Sequence, residues 1–298
     1  MPTSRPSLPP ASRTEPLGGL APAKVNLTLR VTGRRGDGYH LLDSLVVFAG
    51  TGDRLEVRAG EDLSLDVTGP FAEGVPGGPD NLVMRAAALL RERRRVTVGA
   101  AISLDKRLPH GGGIGGGSSD AACAARLLSR LWDVPPLTAE EALLLGADLP
   151  VCLAAPAPAR MMGIGEAVHP VPGLPNVAML LVSPGLHVPT PDVFRVYAKG
   201  ARGFSDAQPP LAAGLDPPGL AAYARDGGND LTAAAMRVAP GIADVLSALS
   251  RVPELLASGM SGSGSVCWGL APDLDAARRA ASAVERPGWW VRAAPVLS

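Results

Sequence analysis

Six of the seven residues from Gly111 to Gly117 are glycine, and two serines, Ser118 and Ser119, follow at once. Glycine at that density is costly in chain entropy and is tolerated where the backbone must take positive φ or approach a ligand closely. Apolar residues at helical spacing, Ala121, Ala125, Leu128 and Trp132, begin directly behind it. A helix starting here offers free N–H groups and a positive dipole end to an anion, with serine hydroxyls as further donors and a cap. The chemistry implied is the holding of phosphate groups by Pro109, His110, Gly111, Gly112, Gly113, Ile114, Gly115, Gly116, Gly117, Ser118 and Ser119. A flexible linker is the plain alternative, but a linker seldom joins a strand to a well-patterned helix.

The commonest phosphate-binding designs do not fit. No lysine follows the glycines, so the GxxxxGK[ST] pattern fails. The GxGxxG pattern matches formally at Gly111, Gly113 and Gly116, and a dehydrogenase reading rests on that match alone. A dinucleotide-binding unit also needs a returning strand after the helix, whereas Trp132 is followed by Asp133-Val134-Pro135-Pro136 and another helical pattern. The HRD and DFG motifs of protein kinases are absent. A second loop, Gly259 to Ser265, suits either a tight turn entering a strand or a set of backbone donors for a diphosphate.

Phosphoryl transfer also needs a proton acceptor and a cation. Asp148 lies between Gly146-Ala147 and Leu149-Pro150, a mostly apolar setting in which a partly desolvated carboxylate is a better base; an ordinary aspartate at a helix end is the alternative. Lys24 and Asn26 share the polar face of an alternating segment and can point into one site or into solvent. Tyr39 and His40 follow a Gly36-Asp37-Gly38 turn, where they serve packing or an aromatic pocket.

These residues need elements to place them. Lys24 to Val31 alternates cleanly and predicts a half-buried strand, with Val25, Leu27, Leu29 and Val31 inward. Further strands are predicted over Leu41–Phe48, Leu55–Arg58, Leu63–Thr68, Val96–Asp105, Val177–Val182, Val266–Leu270 and Trp289–Arg292. Asp80-Asn81 can cap a helix over Leu82–Arg94. Other helices are predicted from Ser118 or Ser119 to Trp132, then Ala139–Leu145, Val193–Lys199, Leu231–Val238, Ile242–Leu249 and Asp273–Val284. Pro156 to Pro175 reads as a domain junction, and Gly200 to Gly219 as a flexible stretch. Strands and helices do not alternate strictly, which makes the fold class α+β. The expected organisation is a disordered tail over 1–19 and two domains, 20–170 and 171–298.

With 46% apolar residues the chain can build a sizeable core. The 28 basic and 28 acidic side chains cancel, and no basic stripe of the kind that binds nucleic acid is present. The N-terminal 19 residues lack an apolar run, so neither a secretory signal nor a membrane span is read there, and the cytoplasm is the expected location. Cys123, Cys152 and Cys267 form no CxxC pair and read as buried free thiols. None of the four histidines has metal-site spacing.

The stretch Pro109 to Ala122, PHGGGIGGGSSDAA, resembles the second motif of the GHMP kinases, the superfamily of galactokinase, homoserine kinase and mevalonate kinase. Ala21 to Leu27 resembles their N-terminal motif and Gly259 to Ser265 their C-terminal glycine motif, in the expected order. Gly36 to His40, Asp80-Asn81-Leu82, Asp105 to Pro109, Leu145 to Pro150 and Pro189-Thr190-Pro191 resemble the branch that phosphorylates 4-diphosphocytidyl-2-C-methyl-D-erythritol in non-mevalonate isoprenoid biosynthesis. The resemblance implies a ribosomal-S5-like N-terminal domain, a ferredoxin-like C-terminal domain, and a site between them that takes ATP with Mg²⁺. It implies Asp148 as base toward the 2-hydroxyl and Lys24 as its electrostatic partner. Asn81 and Lys106 are implied at the adenosine, and Asn26, Tyr39, His40, Pro191, Phe194, Gly262 and Ser263 at a small-molecule substrate with a cytidine diphosphate group. Ser118 or Asp120 is the candidate Mg²⁺ contact. The segment from Trp132 to Gly146 is a few residues shorter than the resemblance leads one to expect. An aromatic side chain is expected near Val46, so the aliphatic residue there would loosen a wall of the substrate pocket. Alternatives are a kinase for a smaller alcohol, of homoserine or mevalonate type, and a nonenzymatic nucleotide-binding sensor. A monomer or weak homodimer is expected, with neither nucleic acid nor membrane as partner.

Overall fold

The computed structural model describes residues 15–200 and 203–298. In the first half, strands β1 (Leu17–Asn26), β2 (Arg30–Arg34), β3 (His40–Gly60) and β4 (Leu63–Thr68) precede helix α1 (Leu82–Arg93). Strand β5 (Gly99–Asp105) leads through the glycine-rich segment to α2 (Gly116–Leu131), followed by short α3 (Ala139–Leu143) and α4 (Leu149–Leu153), then β6 (Ala159–Gly163) and β7 (Ala167–Pro170). The second half holds β8 (Ala178–Ser183), α5 (Thr190–Lys199), α6 (Pro217–Gly227), α7 (Thr232–Val238), α8 (Gly241–Leu249), β9 (Ala257–Met260), β10 (Cys267–Ala271), α9 (Leu274–Val284) and β11 (Trp290–Leu297). The fold class is α+β, as expected.

The described strands form one sheet in the order β4-β5-β3-β11-β8-β10-β9, with β1, β2 and β6 also paired to β3 and with β7 paired to β6. Strand β11 joins the halves: Val296 and Leu297 pair with Ala49 and Phe48 of β3, while Trp290 to Pro295 pair with β8. From Asp43 to Ala49, β3 is buried on both faces. Leu45, Val47 and Ala49 pack into a core shared with β8 and β10, while Val46 and Phe48 pack against Ala122, Val151 and Cys152. Beyond Asp53 the strand alternates, with Leu55 and Val57 buried beneath α1 and α2 and with Arg54, Glu56 and Arg58 exposed.

Several expectations need correction. Lys24 to Val31 is two strands, broken over Leu27 to Leu29, and its polar face is not solvated: Lys24, Asn26 and Thr28 are all buried. That face looks into a site rather than into water. Leu41–Phe48 and Leu55–Arg58 are parts of one strand, β3. Of the expected tail, residues 1–14 lie outside the described residues, while Leu17 to Gly19 already belong to β1. The stretch from 156 to 175 contains β6 and β7, and the expected flexible stretch runs through an irregular 203–216 segment into the first turn of α6. Val46 is fully buried in the core, so it walls no pocket. Among the described residues no helix is long and apolar enough to cross a membrane. The three cysteines are buried free thiols, and burial pushes Cys123 up to about 11 and Cys152 and Cys267 up to about 12.

The short α3 is held by a capping box. Thr138 Oγ1 accepts from the Glu141 N–H at 3.2 Å, and Glu141 Oε2 accepts from the Thr138 N–H at 2.9 Å. Arg94 donates to both Glu141 oxygens, at 2.9 and 2.7 Å. The Arg94 hydrogen bond is the main cause that lowers the Glu141 carboxyl to about 2. Its stabilisation is therefore present above the unfolded value near 4.5 and is lost as pH falls through the folded value. Glu141→Gln should cost about 1–2 kcal/mol at pH 7. Urea unfolding of both proteins at pH 7 and pH 3 checks this: the gap between them should shrink at the lower pH.

Candidate active site

Asp148 directly precedes α4, and its side chain makes no capping bond to that helix. It turns instead to Lys24, whose Nζ donates to Asp148 Oδ2 at 3.1 Å and to Asn26 Oδ1 at 2.9 Å. Lys24 is 3% exposed, whereas the Asp148 side chain is 36% exposed, so the cation is inside and the carboxylate faces the opening. Asn26 Nδ2 donates to Ser44 Oγ at 2.6 Å, and Ser44 donates onward to the Thr28 carbonyl, which fixes the amide so that its oxygen meets Lys24. At Gly165, φ is +115° and a β-carbon would come 2.1 Å from the Ala147 carbonyl oxygen. The β6–β7 turn therefore presses on the residue before Asp148 and sets its position.

The glycine-rich segment lies against this pair. Gly111, Gly113 and Gly115 have φ of +62°, +70° and +62°. The Lys24 N–H donates to the Ile114 carbonyl at 3.0 Å, and a side chain at Gly115 would meet the Lys24 stem at 3.1 Å. Helix α2 begins within the glycines, at Gly116, two or three residues before its expected start at Ser118 or Ser119. A side chain at Gly117 would meet nothing within 4 Å, so the first turn of the helix is open to an approaching anion. The second glycine loop interlocks with the first. Ser261 Oγ accepts the Asn26 N–H at 3.1 Å and donates to the Gly113 carbonyl at 2.9 Å. Asn229 Nδ2 holds the Met260 and Gly262 carbonyls at 2.8 and 2.9 Å.

On the other side of Asp148 a cleft of about 500 Å³ is lined by Tyr39, His40, Ala147, Ile164, Thr190 and Phe194 among others. Pro191, in the first turn of α5, also borders it. Tyr39 is exposed, while the His40 ring stacks on Phe194 at 4.9 Å and meets the edge of Tyr197 at 5.9 Å. Burial, with Arg34 as the lesser cause, lowers the His40 pKa and favours a neutral ring with one donor and one acceptor nitrogen. Ser263 Oγ lies 2.8 Å from Thr190 Oγ1, which ties the second loop to the start of α5.

Some expected site residues are engaged elsewhere. Ser119 donates to the Pro22 carbonyl at 2.7 Å, Ile114 packs in the core, Pro109 is buried, and His110 Nε2 contacts the Phe71 carbonyl. Asn81 caps α1, accepting from the Val83 N–H at 2.8 Å and donating to the Pro76 carbonyl at 2.7 Å. Lys106 is buried between Asp53 and Asp120. Burial drives the Asp120 carboxyl upward against the pull of Lys106. Burial also opposes the Lys106 charge, but the two carboxylates outweigh it and raise the lysine. Both side chains thus sit behind the loop, with Asp120 Oδ1 left without a hydrogen-bond partner among the described residues. Ser118 stays half-buried at the mouth of the loop. Ser44, Asn229 and Asp53 shape the site without a sequence signal, since their partners are distant in the chain and they sit in no motif. Ser261 falls within the second glycine loop, but nothing local foretells its bonds to Asn26 and Gly113.

The geometry agrees with comparison to known proteins. The GHMP kinases N terminal domain matches residues 81–157, which hold the glycine-rich loop and Asp148. The GHMP kinases C terminal family matches 211–288, which hold the second loop. The 4-diphosphocytidyl-2-C-methyl-D-erythritol kinase of Ruegeria pomeroyi is 51% identical over 282 residues, 93% of this chain and 98% of that protein. The protein of the same name from Paramagnetospirillum magneticum is 50% identical over 283 residues, again 93% and 98% of the two chains. A crystal structure of 4-(cytidine 5'-diphospho)-2C-methyl-D-erythritol kinase superposes with a TM-score of 0.77 at 37% identity, covering 95% of this chain and all of that one. Similarity of that extent spans both glycine loops and the Lys24–Asp148 pair, and it makes the chain a member of the GHMP kinases and, within them, of the 4-diphosphocytidyl-2-C-methyl-D-erythritol kinase family.

Proposed function

We propose that the protein transfers the γ-phosphoryl group of ATP to the 2-hydroxyl of 4-diphosphocytidyl-2-C-methyl-D-erythritol, a step of non-mevalonate isoprenoid precursor synthesis. The observation that carries this reading is the place of the Lys24–Asp148 pair. It lies under the glycine loop through Gly115 and beside the aromatic cleft through Ala147. ATP phosphates rest on the open N-terminus of α2, and the cytidine sits in the cleft with Tyr39 and Phe194 as ring faces and His40 at the base edge. Gly262 and Ser263 face the diphosphate. The alcohol between them meets Asp148, which takes its proton as the oxygen bonds to the γ-phosphorus and the bond to the ADP oxygen breaks. Lys24 stabilises the developing negative charge. Mg²⁺ neutralises phosphate charge when bound with ATP. The ion would be held mainly by the phosphates, with the Ser118 hydroxyl or the Asp120 carboxylate as its contact on the protein.

The test is ADP release with ATP, Mg²⁺ and a panel of alcohols. Turnover with the cytidyl substrate and none with homoserine or mevalonate is expected; the reverse would overturn the assignment. Phe194→Ala removes one ring face and frees His40. It should raise KM for the cytidyl substrate by about 10- to 100-fold, as loss of one base–aromatic stack implies, while KM for ATP stays put. Steady-state kinetics with each substrate varied in turn will show this.

A further inference from the structure

The buried cluster of Asp53, Lys106 and Asp120 touches neither the reacting pair nor the aromatic cleft. Asp53 comes from the middle of β3, Lys106 directly follows β5, and Asp120 lies on α2. Their side chains are at most 5% exposed. Lys106 Nζ pairs with Asp53 Oδ2 and, at 2.7 Å, with Asp120 Oδ2. The other oxygen of Asp53 accepts the backbone N–H groups of Arg107 at 2.5 Å and Leu108 at 2.8 Å. Those two residues lead the chain into the glycine-rich loop, and Asp120 stands on the helix that leaves it. A side chain at Gly116 would lie 3.6 Å from Lys106 Nζ and 3.9 Å from Asp53 Oδ2, so the cluster sits directly behind the first residue of α2.

Stability alone does not account for such an arrangement. A buried ion cluster can often be replaced by apolar side chains without loss, because desolvation offsets its attraction. What apolar groups cannot do is orient two successive backbone N–H groups while tying both ends of a glycine-rich segment to one point. Six glycines leave that segment many conformations, and ordering it only on binding would weaken ATP affinity.

We propose that Asp53 is a positioning residue for ATP: by gripping Lys106 and the Arg107–Leu108 backbone it holds the glycine-rich loop in its nucleotide-binding shape before ATP arrives. This rests on the reading that the loop binds ATP. Asp53→Asn keeps the shape but loses the charge and one acceptor oxygen. Its ATP dissociation constant should rise about 10-fold or more, while that of the cytidyl substrate changes less than about 2-fold, both by calorimetry. Lys106 keeps Asp120 as its partner in this variant, so the protein should stay folded, as its thermal midpoint will show. Equal weakening of both ligands, or no weakening of either, would overturn the proposal. A measurement on the unaltered protein stands even if a variant fails to fold. The Arg107 and Leu108 amides should exchange hydrogen as slowly without ATP as with it, and protection that appears only on ATP addition would sink the idea. Should the unaltered protein bind no ATP at all, it is the proposed function that fails.

Discussion

Asp148→Asn is expected to lower turnover about 10²- to 10⁴-fold, the usual worth of a positioned general base, with ATP bound as before. The variant is nearly isosteric. The introduced amide oxygen can still accept from Lys24 at the 3.1 Å contact, and α4 loses nothing because Asp148 makes no capping bond to it. Only the capacity to take a proton disappears. No hydrogen bond joins Asp148 to the glycine-rich loop, so calorimetric ATP affinity should change little. ADP release under saturating substrates is the readout, and near-normal turnover would remove Asp148 from the role of base. A large loss of ATP affinity would show instead that the carboxylate shapes the nucleotide site.

The parts of this site that are legible in the sequence are those with a local physical signature. Glycine density followed by a helical pattern places the turn into α2 because helix starts and positive φ depend on adjacent residues. The alternation of Lys24 and Asn26 puts both on one face, which the structure keeps. The burial of that face is not legible, since a strand face turned toward a site has the same local pattern as one turned toward water. Helix α6 looks like loop because Pro217-Pro218-Gly219 are breakers, yet Asp216 caps it through the Gly219 N–H at 2.8 Å and proline is tolerated in a first turn. Strand β3 looks divided at Gly50-Thr51-Gly52, where glycine admits close neighbours: a side chain at Gly52 would lie 2.0 Å from the Ala21 carbonyl oxygen of β1. Lys106 shows the limit most plainly. A motif puts it near the nucleotide, but its partner Asp53 is 53 residues away, and only tertiary structure reveals that the lysine points inward.

Lys24→Met should lower kcat by roughly 10²- to 10³-fold, comparable to the loss of one preorganised donor at a developing charge. Methionine keeps most of the apolar stem against Gly115, so the loop retains its packing. The folding cost is an unmet acceptor on buried Asn26, about 1–3 kcal/mol, because Asp148 can turn to solvent. The variant should therefore fold, bind ATP and the cytidyl substrate, and turn over slowly. The sharper test is the double variant with Asp148→Asn. Residues that act on one proton transfer as a unit are strongly non-additive, so the double variant should be about as slow as the slower single one. If the two losses multiplied, lysine and aspartate would be acting on separate steps, and the 3.1 Å contact between them would be a matter of structure and not of catalysis.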